Sequence, residues 1–256
     1  MRAPCAIIGL EKKMKNYPYK LETHMHTVHN SDCAKTDPRR AAEVYAQKGY
    51  NGVICTNHFN THDVGYLRKT YNDERANAAE LFLRDFYELK AAGEKLGLDV
   101  FCGAEISPDG TTYYKDKPPY REFLIIGVTP EELKEGGEAL LQKDQRELFE
   151  WCDERGALLV QAHPFREICT PGEPRFLHGA EISNLHPLHN SKNKKAAAFA
   201  RANNLIATGG SDFHFPLGIG GGMLLPRAPK DDKDLAALLK ARDFKVIKSR
   251  FCGRII

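Results

Sequence analysis

The sequence lacks most of the features that mark a specialised chain. No apolar run is long enough to span a bilayer; the first, Ala3 to Leu10, ends in Glu11, Lys12 and Lys13 and carries no cleavage-like site. Neither sign of charge dominates. There are 37 Lys+Arg against 34 Asp+Glu, a net +3, too even to argue for nucleic acid or a membrane surface as partner. The seven cysteines (Cys5, Cys33, Cys55, Cys102, Cys152, Cys169 and Cys252) are odd in number, widely spaced and without a CxxC pair. That excludes a disulfide framework and a thiolate zinc ribbon, and makes a reducing cytoplasm the expected compartment. No serine or cysteine nucleophile motif is present. The glycine-rich run Gly218-Ile219-Gly220-Gly221-Gly222 has no Lys-Ser/Thr behind it, so it reads as a flexible turn and not a nucleotide loop. Low-complexity tracts, internal repeats and Pro/Gly linkers are also missing, so one domain over residues 1–256 is expected.

What is there is alternation. Strand-length apolar or β-branched runs occur at Lys20–His26, Gly52–Asn57, Asp99–Ile106, Glu122–Val128, Ala157–Ala162, Ala180–Ser183 and Leu205–Gly209, with Lys245–Lys248 as a candidate eighth. Helical stretches lie between them: Pro38–Lys48, Asn72–Leu96, Pro130–Arg155, Asn193–Asn203 and Asp231–Arg242. The second carries an apolar stripe with one polar interruption, Asp85. Alternating βα units predict a parallel sheet, either open and doubly wound or closed into a barrel.

The polar residues favour the barrel. Almost every strand candidate ends in ionisable or amide side chains: His24 and His26, Asn57 and His58, Glu105, His163, Glu181, then Asp212 and His214 just past the last strand. In a barrel the carboxyl ends of the strands form one ring, and these groups converge on a single pocket. Two histidines at i and i+2 of a strand face the same way, so His24 and His26 can reach one ion. Imidazoles and carboxylates without thiolate suit Zn, Mn, Fe or Ni. There are more such groups than one ion can use, which predicts two or three divalent ions, with Glu105 as the natural bridge. Clustered metals of this kind serve phosphoryl transfer to water.

The motif series His24-x-His26-Thr27, Ser31-Asp32, Thr56-Asn57-His58, Gly103-Ala104-Glu105-Ile106, Ala162-His163-Pro164 and Gly210-Ser211-Asp212-Phe213-His214 resembles that of the PHP (polymerase and histidinol phosphatase) family. The resemblance runs from about residue 20 to 215. It implies a distorted (β/α)7 barrel, a trinuclear metal site and phosphoesterase activity. Carried over by position, it assigns His24, His26, Glu105 and Asp212 to a first metal and Asp32, His58 and His214 to another. Glu105 would bridge to a further ion on His163.

One position departs from that pattern. The family usually presents a histidine on the strand that reads Arg121-Glu122-Phe123-Leu124-Ile125-Ile126-Gly127 here, and Leu124 takes its place. No histidine occurs between His62 and His163. Three explanations compete: an ion held weakly with water and substrate oxygens, a substitute such as Glu181, or an ion that is absent. Reduced occupancy with activity retained is the expectation.

The activity expected is hydrolysis of a small phosphate monoester, by attack of a metal-bound hydroxide on phosphorus. Arg166, just beyond His163, is the candidate clamp on phosphate oxygens. An extended nucleic-acid substrate ranks lower, since no basic–aromatic stripe is present. Two alternatives come from other classes: a Mn-dependent nuclease or exonuclease on single strands, and a metal-binding regulatory module that has lost catalysis. His29, His62, His178, His186 and His189 read as ordinary loop residues, with His186 and Glu181 as the possible exceptions.

Overall fold

The computed structural model describes residues 16–108 and 120–248. The apolar run Ala3 to Leu10 and the cysteines Cys5 and Cys252 lie outside them. The strands, in chain order, are β1 (Tyr19–Glu22), β2 (Gly52–Cys55), β3 (His58–Phe59), β4 (Asp99–Ile106), β5 (Phe123–Ile126), β6 (Leu158–Gln161), β7 (Gly179–Asn184), β8 (Ile206–Gly210), β9 (Met223–Leu225) and β10 (Lys245–Val246). Seven of them follow one another around a nearly closed barrel in the order β1-β2-β4-β5-β6-β7-β8. The two-residue β3 pairs with the end of β4, and β9 and β10 continue the sheet past β1. This is an α/β barrel, as the alternation and the polar strand ends predict.

Its sheet is not uniformly parallel. β5 runs antiparallel to both β4 and β6, with Glu105 opposite Leu124 and Leu124 opposite Val160. A parallel β4–β5 pair would need a crossover of a dozen or more residues, usually helical. The linking sequence contains Pro108, Gly110, Pro118 and Pro119 and has no helical period. The chain therefore returns along β4, and the amino end of β5 lies level with the carboxyl ends of its neighbours.

Local chemistry explains where the helices begin and end. α1 (Pro38–Gln47) starts at Asp37, whose side chain accepts from Arg40 N, with proline in the first turn. α2 (Thr61–Thr70), capped by Asn60, falls in a stretch where no helix was expected. α3 (Ala78–Leu96) begins at the Asn77 cap, later than the expected Asn72, and stops at Gly97 with φ 68°. The expected helix Pro130–Arg155 is two, α4 (Pro130–Gly136) and α5 (Gln145–Glu154), each opened by its own capping box, Thr129/Glu132 and Asp144/Glu147. α6 (Asn193–Ala202) and α7 (Asp232–Lys240) complete the set. No helix among the described residues is long and apolar enough to cross a membrane.

Two apolar clusters hold the layers. One fills the barrel with Leu21, Ile54, Phe101, Leu124, Ile126, Leu158 and Val160, and includes Leu235, Ala236 and Leu239 of α7. That helix lies against the carboxyl end of β5, so close that a Cβ on Gly127 would sit 2.4 Å from the Ala236 Cβ. The other packs α1 and α3 on the outer face of the sheet through Tyr45, Phe82, Phe86 and Leu89.

Between β8 and β1 no strand ladder closes the ring. Individual bonds do: Thr23 Oγ1 to Gly209 O (2.9 Å), His26 N to Phe213 O (2.8 Å) and Phe213 N to His24 O (3.2 Å). The glycine-rich run packs into this seam. A Cβ on Gly221 would lie 2.2 Å from the Gly210 carbonyl, and one on Gly222 (φ 114°) 2.2 Å from Leu21 O. The run is thus a backbone-on-backbone joint and not the flexible turn expected.

Candidate metal centre

β1 ends at Glu22, before the histidines that were expected on it, because the Glu22 carboxylate turns the chain. Its Oε1 accepts from Thr23 N (3.0 Å), His24 N (3.0 Å) and, across the seam, Ser211 N (2.8 Å). The chain stays extended enough for Met25 to bridge to Phe213. Met25 points into the outer core, and His24 and His26 both face the barrel mouth, their ring centroids 5.1 Å apart. Thr27 fixes the next step. Its N donates to Asn57 Oδ1 (2.6 Å), and its hydroxyl donates to Asp85 Oδ2 (2.5 Å) on α3. The polar interruption in the helix stripe therefore supports the loop that carries the histidines.

Seven of the eight expected ligands come together: His24, His26, His58, Glu105, His163, Asp212 and His214. Glu105 is central. Its Oε1 lies 3.3 Å from His24 Nε2 and 3.2 Å from His163 Nε2, and its Oε2 lies 3.4 Å from His26 Nε2 and 2.9 Å from His58 Nδ1. Asp212 Oδ1 sits 3.5 Å from His24 Nε2 and 3.3 Å from His26 Nε2. The rings of His26 and His214 are 4.4 Å apart, and those of His26 and His58 4.3 Å. Two members have left-handed backbone, His163 (φ 25°) and Asp212 (φ 51°), a conformation that collects at functional sites.

Asp32 is the one the structure does not bring in. It is exposed and pairs with His62 Nε2 at 2.9 Å. The next residue, Cys33, faces the site instead. Burial pushes its thiol up, but hydrogen bonds with His214 and His58 outweigh that and bring it down to about 7. Leu124 is buried in the barrel interior, as a residue in that register must be. Arg166 has Nη2 on Asp212 Oδ2 and 3.1 Å from Asn184 Oδ1, so it braces a ligand at the mouth as well as supplying positive charge there.

Glu181 does not fill the gap left by Leu124. Its Oε1 accepts from His24 Nδ1 (3.1 Å), and its Oε2 accepts from His163 N and Asn184 Nδ2 (3.0 and 2.9 Å). This fixes the His24 tautomer with Nε2 bare toward the cluster, the usual role of a carboxylate behind a metal-binding imidazole. The residue that sequence reading passed over is Glu122. Its Oε2 is 3.4 Å from His163 Nε2, and it is buried. The signal was present, an acid two residues before Leu124, but it is informative only once β5 is known to run backwards. His29 pairs with Asp85 and His178 with Asp153, outside the cluster. His186 lies beside it, with its ring 5.2 Å from His214 and 4.4 Å from His189.

The electrostatics call for cations. Glu105, Glu122, Glu181 and Asp212 are all buried, with Arg166 the fixed positive charge among them. Burial pushes Glu105 up, yet His24 and His58 hold it well below the usual carboxylate range; for Asp212, Arg166 and His24 do the same. Burial, then the neighbouring His58 and His214, push His26 well down, toward the neutral form that binds metals. His24 Nε2, both nitrogens of His26, His58 Nδ1 and Glu105 Oε2 are buried and make no hydrogen bond. Among the described residues, the sets of donors within ion-binding reach of one another include His26/His58/His214, His24/His26/Asp212, His24/Glu105/His163 and Glu122/His163/Cys169. These residues fit divalent ions.

Comparison with known proteins bears on the fold. The PHP-associated family model matches residues 190–244, which take in α6, β8, Asp212, His214 and α7. A two-domain Bacteroides vulgatus protein containing a predicted PHP-like metal-dependent phosphoesterase superposes with TM-score 0.61 at 20% identity, over 89% of this chain and 64% of that one. The chain has the PHP fold. It thus spans less than two thirds of that first relative. An amidohydrolase from Chromobacterium violaceum, solved with sulfate and no metal, gives TM-score 0.54 at 16% identity over 90% of this chain and 98% of that one. A Bifidobacterium adolescentis protein assigned as a metal-dependent phosphoesterase gives 0.52 at 16%, over 86% and 96%. No curated protein matches the sequence.

Proposed function

We propose that this PHP-fold chain is a metal-dependent phosphoesterase that hydrolyses a small phosphate monoester. The observation that carries the reading is the cluster of five histidines, Glu105 and Asp212 at the barrel mouth, with His24, His26, His163 and both acids buried and Arg166 on its rim. Divalent ions bound there would acidify water and neutralise phosphoryl oxygens. His24, His26, Glu105 and Asp212 would hold one ion, His26, His58 and His214 would hold a second, and Glu105 with His163 would hold a third. Zn, Mn and Fe all suit such donors.

The remaining groups act on the substrate. Arg166 meets non-bridging oxygens in a fixed fork while its other contact keeps Asp212 in place. His186 Nδ1 accepts from Leu188 N (3.2 Å), so its Nε2 carries the proton and acts as a neutral donor at the rim. Apolar packing behind the cluster excludes water and strengthens every interaction within it. A near-neutral chain suits a small phosphate better than a polymer.

The test is a panel of phosphate monoesters, diesters and single-stranded DNA, assayed with Mn²⁺, Zn²⁺, Fe²⁺ and Ni²⁺ separately. Metal-dependent release of inorganic phosphate from a monoester, abolished by chelation, is expected. Mononucleotide release from DNA would make the chain a nuclease, and full metal loading without hydrolysis a binding module.

A further inference from the structure

Around His163 lie two donors that the motif series does not name: Cys169, whose Sγ is 3.5 Å from Nδ1, and Glu122, which is on the Nε2 side with Glu105. Two buried carboxylates converge on the same imidazole nitrogen: Glu105 Oε1 lies 3.2 Å from His163 Nε2 and Glu122 Oε2 3.4 Å from it. Glu122 is held from three sides. Tyr120 donates its hydroxyl to Oε1, Ala162 N donates to the Glu122 carbonyl (3.0 Å), and Phe123 is locked opposite Gln161 in the ladder. Its Oε1 is also 3.8 Å from His58 Nδ1. Two acids placed this close in a buried site repel unless a cation lies between them.

The reversal of β5 explains how the acid arrives there. Side chains alternate along a strand, so Glu122 and Leu124 project to the same side. Because β5 runs antiparallel, Glu122 lies nearer the mouth than Leu124, level with the segment that follows β6 and carries His163.

We infer that Glu122 is a metal ligand, completing with Glu105 and His163 a two-carboxylate, one-imidazole ion site in place of one built around a histidine at position 124. The inference rests on the metal-dependent reading above and specifies one of its ions. Carboxylate oxygens favour harder cations, so this corner prefers Mn²⁺ over softer competitors more strongly than the histidine-rich remainder does.

The experiment uses the full chain, stripped with a chelator and dialysed against graded Mn²⁺, with bound metal counted by elemental analysis and folding followed by circular dichroism. Glu122→Gln keeps the shape and the Tyr120 contact but not the charge. It is expected to lose one equivalent, or to hold that equivalent about tenfold more weakly or worse, while the others stay; even an outer partner of a ligand is worth that much. Glu122→Asp, a shorter carboxylate, is expected to fall between the two. Should Glu122→Gln bind the same equivalents at the same Mn²⁺ as the wild type, Glu122 is a protonated structural acid and the inference is overturned. A wild-type chain that takes up no Mn²⁺ overturns the metal-dependent reading itself.

Discussion

At the residue scale the cluster is held by groups that stand behind it. Glu181 is the clearest case, since one oxygen orients His24 through Nδ1 and the other pins the backbone of His163. Glu181→Gln is expected to lower metal affinity about 10- to 100-fold with the fold intact, measured by competition with a chromogenic chelator. The residues that cluster were legible in the sequence because each sits where a strand ends, and strand ends in a barrel share one rim. Asp32 was not, since its direction is set by a hydrogen bond to His62, a partner that no spacing rule supplies. Glu122 was obscured by a strand direction that apolar periodicity does not encode: Phe-Leu-Ile-Ile reads the same in a parallel or an antiparallel setting.

At the scale of elements, the barrel was readable from alternation, whereas helix limits followed from caps. Asn77, Thr129 and Asp144 each end a non-helical stretch with a side chain that accepts from the first turn, which is why two of the long expected helices are shorter or divided. Two predictions belong here. Gly221→Ala forces a methyl group into the Gly210 backbone at the seam and is expected to cost about 1–3 kcal/mol, read from chemical denaturation. The second concerns α7, where Asp232 Oδ1 accepts from Cys102 N (2.7 Å) on β4. Burial pushes its carboxyl up to about 6. A carboxyl more basic in the folded state than in the unfolded chain keeps its proton more readily when folded, so ionisation weakens the fold as pH rises through 6. Asp232→Asn is therefore expected to be more stable than wild type at pH 7–8, by about 1–2 kcal/mol once solvent screening is allowed for. The advantage should vanish below pH 4, as urea midpoints across that range would show.

For the whole molecule, the proposed metal centre would link stability to metal loading. Carboxylates packed into the mouth repel one another in the metal-free chain, and the ions proposed to separate them would bind only the folded form. Saturating Mn²⁺ or Zn²⁺, at about a thousand times Kd, is expected to add about 4 kcal/mol, seen as a rise in Tm of about 8 °C or more in differential scanning calorimetry. A chain whose Tm is indifferent to divalent metal would not contain the centre described.

The donors come from both sides of the β1–β8 seam, His24 and His26 on one and Asp212 and His214 on the other. During synthesis the first pair leaves the ribosome long before the second. A growing chain therefore lacks Asp212 and His214, on which the His24/His26/Asp212 and His26/His58/His214 sets depend, until the barrel is almost complete. Filling of those two sets would consequently be deferred to a nearly finished barrel, whose shape is already set. Which ion fills them would then depend on the supply at the moment of closure, and not on what the emerging strands meet on the way.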